Sequence, residues 1–401
     1  MKKILSGLIT IMFLVTAGIQ PVMAATNAEL EKRIEVLEKL LKAAYENPAM
    51  QGEKNKKNSA EVKELSDRVR QLEEQPEKNL RLGTWAEKLT LSGLIEVETN
   101  YSNYDFDAPG TSDEDSTDIA LATVELGIDA DIAKHVGGHI LLKWEDGSNG
   151  VDVDEGFIIL DGKDVVPLYL NAGKMYVPFG YYESHFISDP LTLEIGETNE
   201  AALKFGYATD WIDVSLSAFN GDVDETGDSD HIDDFAASLV VTPDISEAFG
   251  IAFGVSYITN IGESNGLEGE ITGAGTVKDD VPGVGAFLSF NFKERFFLEL
   301  EYVSALDDFK PGELSFDNGN AFEPVAWNIE FAFLPIEDLE LAVRYEGGND
   351  LGSNFLPERR YGAAASYGLF PYTTLAVEYL HADFENNDKS DNLTVQLGIE
   401  F

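Results

Sequence analysis

The 401-residue sequence contains no cysteine. That absence removes disulfide frameworks, thiolate metal sites, a cysteine nucleophile and a lipidated N-terminal cysteine. Long apolar runs are also missing. Beyond residue 24 no stretch approaches the roughly eighteen consecutive apolar residues that a helix needs to cross a bilayer, so a helical membrane protein is excluded. Basic residues are scarce over most of the chain. Residues 1–88 hold 15 Lys and Arg against 13 Asp and Glu; of 28 basic and 73 acidic residues in all, 13 and 60 remain for residues 89–401, a net of −47. Such a surface repels nucleic acid and anionic headgroups, which leaves cations or neutral solutes as partners.

Catalytic and metal signatures are absent as well. The five histidines (His135, His139, His185, His231 and His381) are scattered without metal-ligand spacing, and His381-Ala382-Asp383 has no evident serine partner. Residues 222–233 approximate a calcium loop but lack the bidentate Glu at the last position. No cofactor and no dedicated metal site is expected, and the chain is not read as an enzyme.

What is present begins with an export signal. Lys2 and Lys3 precede the apolar run Ile4–Ile19, and Val22-Met23-Ala24 supplies small-residue cleavage spacing, so residues 1–24 read as a cleaved signal peptide. Leu30, Ile34, Leu37, Leu41 and Ala44 then repeat at alternating spacings of four and three, followed by a second seam at Val62, Leu65, Val69 and Leu72. Asn47-Pro48 and a polar stretch separate them, so residues 25–88 read as a short helical coiled-coil and linker segment. Such short seams are marginal alone, so self-association as a homotrimer is one expectation and a lone helix lying on the remaining domain the other.

From Leu89 the period changes to two. In the last segment Leu393, Val395, Leu397, Ile399 and Phe401 alternate with Thr394, Gln396, Gly398 and Glu400. Sixteen such strands are expected, near 89–101, 119–132, 135–146, 152–161, 166–176, 200–208, 211–220 and 233–243 in the first half. The second half contributes 248–260, 283–293, 295–305, 324–334, 338–347, 359–369, 372–383 and 391–401. Their connections alternate between tight turns and longer loops, and aromatics (Tyr207, Trp211, Phe249, Phe370, Tyr372 and Phe401) gather at strand ends. A soluble sandwich does not segregate its loops this way; an all-β, 16-stranded antiparallel transmembrane β-barrel over 89–401, seated in the outer-membrane lipid, does. The terminal Phe401 resembles the C-terminal signal by which bacterial outer-membrane barrels are recognised for assembly.

With apolar residues facing lipid, the inward set includes Glu96, Glu98, Glu125, Asp129, Glu145, Asp213, Glu299, Glu301, Glu330, Glu340 and Glu378, against the basic Lys143, Lys204, Arg344 and Arg360. Sixteen strands enclose an aqueous channel, in which rings of carboxylates favour cations. The reading is therefore a channel for diffusion of small solutes, with a general cation-preferring porin and an envelope anchor tethered by the coiled coil as alternatives.

The chain also resembles the LbtU-type siderophore porin family, on the coiled coil Ala28–Ala44, the opening strand Leu89–Val97, the segment Leu170–Gly180 and the terminal strand Leu393–Phe401. The resemblance implies ferric-siderophore uptake through an outer-membrane channel without a plug domain. It leaves a conflict, because ferric complexes of carboxylate siderophores are often anionic while this barrel is acidic. A neutral or cationic complex, a local path along Lys143, Lys204, Arg344 and Arg360, or a general porin would each resolve it. In sixteen-stranded porins the loop after the fifth strand folds into the lumen. By that likeness Tyr181, Tyr182, Glu183, His185, Phe186 and Asp189 are the constriction candidates.

Overall fold

A computed structural model describes residues 88–401 apart from 163, 228–230, 247 and 274. The expected signal peptide and coiled-coil segment lie outside the described residues. In chain order the first strands are β1 Leu89–Asp105, β2 Glu114–Ala133, β3 Val136–Glu145, β4 Asp152–Asp161, β5 Leu168–Tyr176, β6 Asn199–Ala208, β7 Ile212–Phe219, β8 Asp224–Glu225 and β9 Asp234–Val241. There follow β10 Phe249–Ile258, β11 Thr276–Val277, β12 Gly283–Phe292, β13 Phe296–Ala305, β14 Val325–Ile336, β15 Leu339–Asn349, β16 Arg359–Phe370, β17 Thr373–Asp383 and β18 Lys389–Glu400. Two short helices, α1 Leu191–Gly196 and α2 Asn265–Glu268, sit in connections.

Among the described residues sixteen strands close into one barrel in which each pairs with its neighbours, all antiparallel. The two-residue strands β8 and β11 pair only with each other. Closure is made by β1 on β18, in register from Leu94 with Glu400 to Asp105 with Lys389. Beyond that pair, the Gly93 N–H donates to the Phe401 carbonyl at 2.8 Å and the Phe401 N–H returns to Gly93 at 3.0 Å. The Phe401 ring lies where a side chain at Gly93 would be, 2.5 Å from a Cβ built there, so glycine is required for the terminal aromatic to cover the seam. Closure leaves no unpaired edge, the condition for a sheet in lipid.

The two-residue alternation decides which face is which. Ile95, Val97, Leu393, Leu397 and Ile399 are exposed on the outside, while Glu299, Glu330, Arg344 and Glu378 on the intervening faces are buried inside. An outside this apolar has lipid as its solvent. Among the described residues no helix is long and apolar enough to cross a membrane, so the strands do the crossing. The aromatics expected at strand ends all lie exposed at the short-turn end. One of those turns, Lys293-Glu294, has both residues at positive φ, which matches the twist of the strands it joins.

One expected boundary shifts. The acidic connection read as 102–118 shrinks to 106–113, because Tyr104 and Asp107 are held by Asp388 of the last hairpin and the strands extend up to them. The long loops fold inward. At their end of the barrel Phe219, Ile258, Ile261, Leu267, Phe309 and Leu351, each at most 1 % exposed, pack into an apolar core inside the mouth. Each such side chain contributes about 1.5–3 kcal/mol, which is enough to keep these loops folded inward.

Candidate functional site

Residues 177–198, joining β5 to β6, run into the barrel. The chain reverses at Gly180, at φ +76°, where any side chain would strike the ring of Tyr182. It then reaches β15, which is eight strands from β5 in either direction and so on the opposite wall.

A loop in the lumen has backbone donors that no ladder pairs, and here the wall supplies the acceptors. Glu301 of β13 accepts the N–H groups of Tyr181 at 2.7 Å and Tyr182 at 3.2 Å, together with the Thr192 hydroxyl at 2.8 Å. Glu330 of β14 accepts His185 N–H at 2.8 Å, Glu378 of β17 accepts Ile187 and Ser188 at 2.7 and 3.0 Å, and Glu346 of β15 accepts Leu191 at 2.8 Å. Hydrogen bonds to a charged group contribute about 1.5–3 kcal/mol each, so the loop is held as a septum.

Burying those carboxylates requires compensation, and Arg344 supplies it. Its Nε lies 2.7 Å from Glu330 and its Nη1 3.5 Å from Glu346, with all three side chains at 0% exposure. The same guanidinium donates to the Ser188 carbonyl at 2.9 Å and to Asp189 O at 3.3 Å, bonds the Ser184 hydroxyl, and lies over the Phe186 ring at 4.3 Å. Arg360 Nε adds a 2.5 Å contact to Glu346.

The other side of the septum is wet. Glu96, Glu98, Glu125, Lys143, Glu145 and Glu155 on β1–β4 all keep access to water. A cavity of about 470 Å³ along this wall is lined by Glu98, Asn100, Ser102, Ser116, Asp118 and Glu145, among others. Across the gap stand Asp189, Glu194 and Glu197 of the loop. Asp189 has its carbonyl pinned by Arg344 while its carboxyl reaches lumen water. Its pKa is raised by enclosure in the protein, with Arg344, Lys143 and Arg360 pulling the other way. Glu96 of β1 is also within electrostatic reach of it. Glu197 is pushed up to about 7, by burial first and the Asp189 charge second. Lys143, the cation on this wall, is tied to Glu145 at 2.7 Å.

The remaining candidates divide between the septum and the walls. Tyr181 and Glu183 are exposed on the loop, whereas Tyr182 is half-buried and packs against the apolar core. His185 bonds Glu340 at 3.1 Å; burial alone would lower its pKa, but that hydrogen bond and charge outweigh it and raise it. Glu299 lies on β13 beside Ser289 at 3.0 Å. Lys204, on β6, stands near Asp213 and Glu155. Three of the four basic candidates converge: Arg344, Arg360 and Lys143 all lie within electrostatic reach of Asp189, each already engaged by a wall glutamate, whereas Lys204 stands apart on β6. Sequence reasoning passed over Glu346, Glu194, Glu197 and Phe287. Alternation with Tyr345 could have placed Glu346 inward.

The fold has close counterparts among solved structures. The outer membrane channel DcaP of Acinetobacter baumannii superposes with a TM-score of 0.53 at 14% identity, covering 78% of this chain and 97% of that one. An anion-selective porin from Comamonas acidovorans gives 0.55 at 11% identity, covering 78% and 99%. The architecture is thus the sixteen-strand barrel of outer-membrane porins, and the apolar outer face fits the same membrane. In sequence, a UPF0422 protein of Legionella pneumophila (strain Paris) is 25% identical over 326 residues, 73% of this chain and 58% of the relative. A UPF0422 protein of Coxiella burnetii is 25% identical over 307 residues, 73% and 64%. The chain therefore spans less than two thirds of the length of either relative. No protein-family model matches the sequence.

Proposed function

We propose that this chain is an outer-membrane channel through which small solutes diffuse, with a preference for cations. The observation that carries the reading is the division made by the septum. Arg344 is enclosed, and Arg360 and Lys143 are each tied to a wall glutamate, so the gap is left between the acidic edge of the loop and the acidic wall of β1–β4. In a narrow aqueous path the sign of the lining sets the sign of the permeant ion. The barrel type does not, since one fold counterpart is described as anion-selective. Planar-bilayer recording of the purified chain tests the channel: discrete conductance steps support it, and a silent bilayer favours the envelope-anchor alternative.

Ferric-siderophore uptake is the specialised form that the family resemblance implies. With Arg344 enclosed, an anionic complex has no continuous basic path, so this lumen suits a neutral or cationic complex. Growth of a deletion strain on iron-loaded siderophores of each charge, compared with growth on other small nutrients, tests that form. A homotrimer belongs to the same proposal, and crosslinking with and without residues 25–80 tests it; identical oligomers from both would remove the coiled coil from the assembly.

A further inference from the structure

Below the septum, toward the short-turn end, the inner wall changes character. The Tyr181 ring stacks on Phe287 of β12 with centroids 4.0 Å apart and planes 3° apart, yet 36% of Tyr181 stays exposed. Two residues along the loop, Glu183 is exposed and makes no hydrogen bond or ion pair with any described residue. Glu299, two positions nearer the short-turn end than the stapling Glu301, accepts a hydrogen bond from Ser289 and lies within electrostatic reach of both Tyr181 and Glu183. His185, the cation nearest this group on the loop, is engaged by Glu340 and packs on Phe297 at 5.2 Å. Glu183 is therefore left without a paired cation, while Glu299 has His185, already bonded to Glu340, within electrostatic reach. Above them the recess is closed by the stapled loop and the apolar core of the mouth.

A flat aromatic surface beside an exposed, unpaired carboxylate, in a recess closed on one side, is complementary to a cation carried on an apolar body. We propose that this recess binds organic ammonium ions, with the open face of Tyr181, backed by Phe287, against the flat apolar body and Glu183 against the charge. The proposal rests on the reading of the barrel as a solute channel and names a class of solute for it. An inorganic cation meets only the carboxylates there and is held weakly, so the recess sorts solutes by shape as well as charge.

The test is calorimetric titration of benzylammonium chloride into the detergent-solubilised full chain, with ammonium chloride as the comparison. Saturable benzylammonium binding is expected, and none for ammonium. Tyr181→Ala and Glu183→Gln should each weaken it about tenfold, the scale of one lost ring or carboxylate contact, while Tyr181→Phe retains it. No binding by the wild type, or binding by Tyr181→Ala and Glu183→Gln as tight as that of the wild type, overturns the proposal. Potassium chloride conductance of the same preparations reports separately on the channel. Conductance without benzylammonium binding sinks the recess alone, whereas binding without conductance supports the recess and sinks the channel.

Discussion

Arg344 and Glu330 meet inside the barrel with Nε and Oε1 2.7 Å apart and neither side chain exposed. Each is on a wall strand, yet both also reach a loop that starts on the far side of the lumen: Arg344 bonds Ser184, Ser188 and Asp189, and Glu330 accepts from His185. The pair joins wall to septum.

Breaking it should be costly. Removing one partner of a buried ion pair leaves an uncompensated charge and costs about 3–5 kcal/mol. Arg344→Met is expected to lower the unfolding midpoint in detergent, with the Arg344→Met/Glu330→Gln double variant losing less than the single one. A single variant that melts with the wild type would contradict the assignment.

The septum should also limit flow. Deleting residues 183–195 removes the stapled segment while leaving the barrel strands intact, and single-channel conductance is expected to rise. Unchanged conductance would mean that the narrowest point lies elsewhere.

Selectivity should depend on pH near neutrality. Glu197 sits at about 7, raised by burial and then by Asp189. Below that pH it is neutral and the gap loses a negative charge, so cation preference is expected to strengthen between pH 6 and pH 8. Glu197→Gln should flatten the step in reversal-potential recordings; a step that persists in the variant would assign it to another group.

A second pH effect concerns the mouth. Glu263, in the connection between β10 and β12, is 1% exposed and is raised from 4.5 to about 8, chiefly by burial. The folded loop thus holds a proton that the opened loop releases above about 4.5, so its stability is greatest at low pH and is lost as pH climbs through 8. Limited proteolysis within residues 220–282 should be faster at pH 9 than at pH 6, and Glu263→Gln should remove the difference. Equal rates in the wild type would count against the protonated state.

The barrel was legible because its signal is local. Alternation such as Leu393 to Phe401 fixes which residues face lipid, and the rhythm of short turns and long loops fixes the antiparallel order. The β1–β2 extension was not legible, since Tyr104 is held by Asp388 from the far end of the chain. The septum contacts were hidden for a similar reason. A lumen-facing glutamate at 301, 330, 346 or 378 reads the same in sequence whether water or a distant backbone N–H satisfies it. Pairing Tyr181 with Phe287 likewise needs the closed barrel to bring β12 under a loop that leaves β5.

The most direct measurement is the zero-current potential of the reconstituted chain across a potassium chloride gradient at pH 8, for the wild type and Asp189→Asn. With the loop's acidic edge facing the wet wall of β1–β4, potassium should pass in preference to chloride, and the substitution should move the potential toward zero. A wild-type potential of the sign that chloride preference produces would contradict the account.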